Sequence, residues 1–195
     1  MKDCIFSRNL LEHAELVSRL ESIASTVDEA SNVIVNSLRD NGCVFFCGNG
    51  GSAADSQHLA AEFTGRFVRE RAPLAGIALT TDTSALTAIG NDYGFDEIFA
   101  RQVAGLAKRG DCLIAISTSG NSSNIVRAVR KATEIGVSTI GLLGRDGGVL
   151  KGLCDVAVVV PSEITARIQE IHLLIGHSWC ETVDEMTNEE VVLAN

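Results

Sequence analysis

No apolar stretch in this 195-residue chain approaches the roughly 20 residues that a helix needs to cross a bilayer, so no membrane span is expected. The opening segment, MKDCIFSRNLLEHAE, carries charges throughout and no apolar run, which argues against a secretory signal and for a cytoplasmic protein. Basic residues are scarce, 16 Lys and Arg against 25 Asp and Glu, giving a formal charge of −9. That balance speaks against a dedicated surface for nucleic acid or anionic membrane. The six cysteines form no Cys-x-x-Cys pair, which weakens zinc-ribbon and thioredoxin-type readings. They read as free thiols, and those in the apolar runs around Cys43, Cys47 and Cys112 read as small buried hydrophobes. No G-x-x-x-x-G-K-[ST] occurs, so a Walker-type ATP site is not expected. Proline occurs twice and glycine 18 times, and the glycines gather in particular loops.

What is present is enough for one well-filled domain: 46 % of residues are hydrophobic and 21 % charged. We read residues 1–195 as a single domain, with an N-terminal helical segment over 1–40 and an α/β core with a C-terminal helix over 42–195. Between Ser7 and Leu38 apolar residues recur at three- and four-residue steps, as one long helix or two joined near Ser25. Short apolar strands then alternate with helices. The strands are expected at Cys43–Cys47, Leu74–Leu79, Asp111–Ser117, Val137–Leu143 and Val156–Val160. The helices are expected at Ser52 to Phe67, through Ala107, at Ser122–Ile135, and from Ile164 beyond Val183. This alternation means βαβ units and a five-stranded, mainly parallel sheet flanked by helices on both faces.

Two strand-to-helix loops have the composition of ligand sites. Gly48-Asn49-Gly50-Gly51-Ser52-Ala53 allows a tight turn and close approach of a ligand, and Ser52 is placed to cap the next helix. It also spells G-x-G-x-x-A, but no acid ends the second strand, and Asp82 lies farther on. A sugar or phosphate therefore suits it better than a dinucleotide. The second loop, Ser117-Thr118-Ser119-Gly120-Asn121-Ser122, gathers four hydroxyls at a helix N-terminus, where a phosphate can be held without full countercharge. An ordinary capped turn has the same composition, and two such loops in one sheet favour a site.

Among titratable groups, His58 and Glu62 are four apart on the helix after the first loop and share a face. The last helix carries Gln169, His172 and His177 in an otherwise apolar stretch, where histidines need partners or a ligand. Imidazole, carboxylate and amide oxygen together suit a zinc-class ion. Gln169 and His177 lie about 12 Å apart along a helix, so one ion requires converging side chains or contributions from different subunits. Gly176 would permit close approach of another backbone. His13 is given no role, and the acidic end (Glu181, Asp184, Glu185, Glu189, Glu190) reads as a solvated face.

The segments CGNGGSAADSQHLAAEFTGRF, ALTTDTSALTAIGNDYGFDEIFARQV, ISTSGNSSNIVRA and ARIQEIHLLIGH together resemble the sedoheptulose 7-phosphate isomerases of the sugar isomerase (SIS) domain family. The resemblance implies an SIS-type, Rossmann-like three-layer fold. It implies interconversion of sedoheptulose 7-phosphate with D-glycero-D-manno-heptose 7-phosphate, toward activated heptoses for bacterial surface glycans such as lipopolysaccharide. It also implies a homotetramer with one Zn2+ per subunit and active sites at subunit contacts. By motif, His58, Glu62, Gln169 and His177 look like metal ligands, and Ser117, Thr118, Ser119 and Ser122 like the phosphate loop. Asn49, Gly50, Gly51, Ser52, Asn91 and Asp92 look like sugar contacts, with Glu62 and Gln169 also reaching substrate; the roles of Asp55 and Arg66 stay open. The chemistry of an aldose–ketose shift needs a base and an acid, for which Glu62 and His177 are the candidates. The alternative is a non-catalytic SIS-domain tetramer that binds a replication initiator, which need not keep both groups. A related amino-sugar enzyme is disfavoured by the single short domain and the IQEIH…H helix.

Overall fold

The computed structural model describes residues 4–193, with side chains through Met186. Five strands, β1 (Val44–Gly48), β2 (Gly76–Ala78), β3 (Cys112–Ser117), β4 (Ser138–Gly144) and β5 (Val156–Val160), form one sheet in the order β2-β1-β3-β4-β5. Every pairing is parallel. The helices are α1 (Ile5–Val17), α2 (Ala24–Arg39), α3 (Gly51–Thr64), α4 (Thr83–Tyr93), α5 (Ile98–Leu106), α6 (Ser123–Ile135) and α7 (Thr165–Leu193). The N-terminal segment is thus two helices, joined through a 3-10 turn at Leu20–Ile23. The expected edge strand Leu74–Leu79 shortens to β2 because Leu74 N–H turns away to the Phe63 carbonyl at the end of α3.

Alternation along each strand splits the core in two. Val44, Phe46, Ile114, Ile116, Leu142 and Val158 face α2, α3 and α7, where they meet Ile34, Leu59, Phe63, Ile171 and Trp179. Phe45, Cys47, Leu113, Ala115 and Leu143 face α5 and α6, against Phe99, Val103, Ile125 and Val129. Because both faces are covered, the central strands read as unbroken apolar runs.

The chain leaves β1 toward one edge and returns to β3 on the other side, so the sheet reverses direction between these two neighbours. In open parallel sheets that reversal leaves a crevice at the C-terminal strand ends. The two loops singled out above, after β1 and β3, border it.

His172 fastens α7 to the sheet. It is fully buried, and its Nε2 lies 2.9 Å from the Leu143 carbonyl. A carbonyl only accepts, so Nε2 carries the proton and Nδ1 is left as a buried acceptor with no partner. Burial pushes its pKa down to about 4, against the weaker opposite pull of that carbonyl. The folded state therefore binds fewer protons than the unfolded state between the ordinary value near 6.5 and about 4. This contribution is complete above pH 6.5 and is lost, at about 1.4 kcal/mol per pH unit, as pH falls through that window. Denaturant titrations of the wild type and His172→Gln at several pH values should show a shallower acid slope in the variant. Parallel slopes would contradict the neutral, buried assignment.

Candidate active site

The first loop does not fold as its serine suggests. The N-cap of α3 is Gly50, with φ +57°, and Ser52 sits buried inside the first turn rather than capping it. Gly50 holds this position because a left-handed φ costs glycine nothing. The Asn49 side chain is engaged: its Nδ2 donates to Asn124 Oδ1 at 2.9 Å, and Asn124 Nδ2 donates back to Asn49 Oδ1 at 2.8 Å. Asn124, in the first turn of α6, is buried and also receives Ile125 N–H on its Oδ1. The paired amides tie the loop after β1 to the first turn of α6, the helix that follows the loop after β3. Sequence reasoning passed over Asn124, since nothing local distinguishes it from any early-helix asparagine.

The second loop closes on itself. Ser117 Oγ accepts Gly120 N–H at 3.1 Å and lies 3.3 Å from Ser122 Oγ, while Ser119 Oγ accepts Asn121 N–H. Ser122 is the residue before the first turn of α6, and Thr118, Ser119 and Ser122 remain partly exposed. Gly120 has φ +65°, and a Cβ there would stand 1.9 Å from the Gly147 carbonyl oxygen.

The titratable groups meet where α3 crosses α7. A Cβ on Gly176 would lie 2.6 Å from Leu59 Cδ2, so the close neighbour is a leucine side chain rather than another backbone. The residues beside this contact are His58 and His177, whose Nε2 atoms are 2.8 Å apart. Glu62 Oε1 is 3.7 Å from His58 Nε2, as the four-residue spacing requires. Gln169 lies against the start of α3, since a Cβ on Gly51 would fall 2.4 Å from its Nε2. Gln169 therefore meets the first turn of α3, whereas His58 and His177 meet about two turns farther along it, so the two contacts remain separate. Phe67 stacks on His177 with centroids 5.1 Å apart and 29° between planes.

Metal-donor chemistry is present in type: two imidazoles, a carboxylate and an amide. The imidazole nitrogens face each other at hydrogen-bonding distance, and among the described residues no three of His, Cys, Asp and Glu form a ready-made ion cage. An ion would enter by the rings parting. Asp55, one turn before His58, has Oδ2 buried without a hydrogen bond; burial raises its pKa and His58 pulls it back. Cys180 is buried, and burial together with the nearby Glu62 charge pushes its thiol up to about 12, so it stays protonated. His172 is turned to the sheet and is no candidate for proton transfer.

Other candidates fall outside this cluster. Asn91 and Asp92 are exposed at the end of α4 and bond to each other, Nδ2 to Oδ1, at 2.8 Å. Arg66 is exposed and pairs with Glu70 and the Val68 carbonyl. Asp82 caps α4 by accepting Ala85 N–H, which accounts for the acid that a dinucleotide reading would have needed elsewhere. His13 bonds Glu170 at 2.7 Å, fastening α1 to α7. The acidic end is not uniformly solvated: Glu181 and Glu185 are exposed, but Asp184 is buried and bonded to Arg71. Burial alone would raise the Asp184 carboxyl, yet the Arg69 and Val68 N–H groups and the Arg71 guanidinium hold it below the usual carboxylate range. The side chains of Glu189 and Glu190 lie outside those described.

The SIS domain family matches this chain over residues 10–144. The phosphoheptose isomerase of Aliarcobacter butzleri is 53 % identical over 185 residues, 94 % of this chain and 97 % of the relative. That of Nitratiruptor sp. is 55 % identical over 179 residues, 91 % and 96 % of the two chains. The solved structure of phosphoheptose isomerase GmhA from Neisseria gonorrhoeae superposes with a TM-score of 0.88 at 45 % identity, covering 92 % of this chain and 97 % of that one.

The hydroxyl loop gives a direct test. Gly120→Ala sets a methyl group against a backbone oxygen that cannot rotate away. It should destabilise the fold by about 2–4 kcal/mol, combining overpacking with a left-handed φ. An unchanged denaturation midpoint would mean the loop is not held as described.

Proposed function

The chain belongs to the SIS domain family and within it to the phosphoheptose isomerases, and from that premise we propose that it interconverts sedoheptulose 7-phosphate and D-glycero-D-manno-heptose 7-phosphate with Glu62 as base and His177 as acid. The observation that carries this reading is the convergence of His58 and Glu62, on the helix that leaves the glycine loop, with His177 of α7 at the α3–α7 crossing. Ser117, Thr118, Ser119 and Ser122 take the phosphate through hydroxyls and helix N–H groups. The backbone of Asn49, Gly50 and Gly51 faces the sugar chain, because the Asn49 amide is occupied by Asn124.

With the ketose bound, Glu62 removes a proton from C1 as the C1–C2 double bond forms, and His177 protonates the C2 oxygen. Glu62 then returns the proton to C2 while the C1 hydroxyl gives its proton back to His177, leaving the aldose and restoring both groups. Stacking on Phe67 keeps one face of the His177 ring from water and fixes its orientation. In the substrate-free site a zinc ion, one per subunit, would be held by His58, Glu62, Gln169 and His177; with substrate bound that set would loosen to free Glu62 and His177 for proton transfer, and the ion would polarise substrate oxygens and offset enediolate charge. The non-catalytic alternative has no use for a base and an acid brought together, and both are present. A place in the cytoplasm, supplying heptose for lipopolysaccharide, completes the proposal.

We also propose a homotetramer. On α1, Phe6 and Leu11 are each 71 % exposed, and Leu10 lies beside them at 56 %. A groove of about 440 Å3 runs between the N-terminal helices and α7, lined by Val17, Ile23, Val27 and Leu174. A second copy of this chain offers a matching apolar helix for that face. Asn91 and Asp92, exposed and away from the cluster, would then serve a neighbour's site.

Glu62→Gln should abolish turnover with little change in substrate affinity, and His177→Gln should cost about 10²–10⁴-fold. Activity within a few-fold of wild type in either would reassign that role. Because His58, Glu62 and His177 meet in one chain, mixed oligomers of the two inactive variants should regain no activity. Recovery would place base and acid on different chains. In sedimentation, Leu10→Glu should lower the assembly state and the activity together; a fully active wild-type monomer would refute the tetramer.

A further inference from the structure

We propose that Arg71 and Asp184 form a buried clamp that positions Glu62 and His177, a role that rests on the acid–base reading above. Both side chains are nearly sealed from solvent, 2 % and 1 % exposed. Asp184 lies on α7, two turns beyond His177. Its Oδ1 accepts Arg71 Nε at 2.8 Å, and its Oδ2 accepts the backbone N–H groups of Val68 at 2.8 Å and Arg69 at 2.9 Å. The rest of the Arg71 fork reaches the end of α3 and, through Nη1, the Ala72 carbonyl at 3.1 Å. Nη2 donates to the Glu62 carbonyl at 2.7 Å, and Nη1 donates to the Phe63 carbonyl at 2.9 Å.

The clamp has two outputs, and each ends on one member of the acid–base pair. The last carbonyls of a helix have no partners within it, so the final turn frays unless something caps it. Glu62 sits in that turn of α3, and the Arg71 guanidinium, sharing the Phe63 carbonyl with Leu74 N–H, closes it and ties it to the helix carrying His177. The second output runs through Asp184 Oδ2, which pins the chain immediately after Phe67, the residue whose ring lies on His177. As a stabilising device alone a buried ion pair is inefficient, because desolvation offsets most of its attraction. Held geometry is what it supplies, and small misplacements of catalytic groups cost large factors in rate. Neither residue touches substrate in this reading; both are positioning residues.

Arg71→Lys keeps the charge beside Asp184 but cannot reach the aspartate and two carbonyls at once. Asp184→Asn keeps an acceptor for the backbone N–H groups and loses the charge. In both, kcat for sedoheptulose 7-phosphate should fall at least about tenfold while KM moves less than about threefold. The His177 ring protons, shifted by the Phe67 ring current, should move toward their position in Phe67→Leu. Arg69→Ala, an exposed neighbour paired with Glu185, should change neither quantity. The nuclear magnetic resonance readout does not depend on turnover, so it tests the clamp even if the Glu62 and His177 assignments fail. If Arg71→Lys does not fold, Asp184→Asn carries the test. The proposal is overturned if the folded variants keep kcat within about twofold of wild type, or if the His177 resonances stay in place.

Discussion

Everything the site does depends on how closely α3 and α7 approach. At their crossing a glycine stands where any other residue would collide with Leu59, and the two imidazoles are the next residues along each helix. The apolar contact sets the distance, and the polar pair is delivered as a consequence. A similar closeness recurs one end of α3 away, where Gly51 makes room for the Gln169 amide. The approach is held from beneath by Ile168, Ile171, Ile175 and Trp179, all buried against the sheet and α2. Burying side chains of this size is worth roughly 1.5–3 kcal/mol each, far more than any hydrogen bond within the cluster. Packing, not the polar contacts themselves, therefore fixes the geometry of the polar groups.

The sheet contributes the other half. Its reversal between β1 and β3 opens the crevice, and the Asn49–Asn124 pair joins the loop after β1 to the start of α6 across it. The structure thus separates rigid from available groups. Asn124, His172, Arg71 and Asp184 are buried and bonded to backbone or to each other, whereas the side chains of His58 and Glu62 remain 44 % and 22 % exposed. On the proposed mechanism, the buried polar groups orient the exposed ones.

Much of this was legible because it is local. Alternating strands, the two loops and the four-residue spacing of His58 and Glu62 are periodic features that any short window contains. What stayed hidden depends on distant partners. Asp184 looks like one more acid in an acidic tail, and its buried role comes from Arg71, 113 residues away in sequence, and from the Val68 and Arg69 N–H groups. Asn124 finds its partner 75 residues away, and Phe67 lies in an irregular segment whose path is set by α7. Ser52 is a residue type that suits capping, but the backbone turns one step earlier, at Gly50. Gly176 reads from the sequence as room for another backbone, but what it admits is the Leu59 side chain, and that contact brings His58 and His177 together.

The central claim is that a proton is carried between C1 and C2 by a side chain at the α3–α7 crossing. Incubating sedoheptulose 7-phosphate with the wild-type protein in D2O and reading the product by nuclear magnetic resonance tests it most directly. The account predicts an aldose 7-phosphate carrying solvent deuterium at C2, since a carboxylate that has taken the proton exchanges it before returning it. A product formed at full rate with only substrate hydrogen at C2 would indicate direct hydrogen transfer between the carbons and would contradict the account.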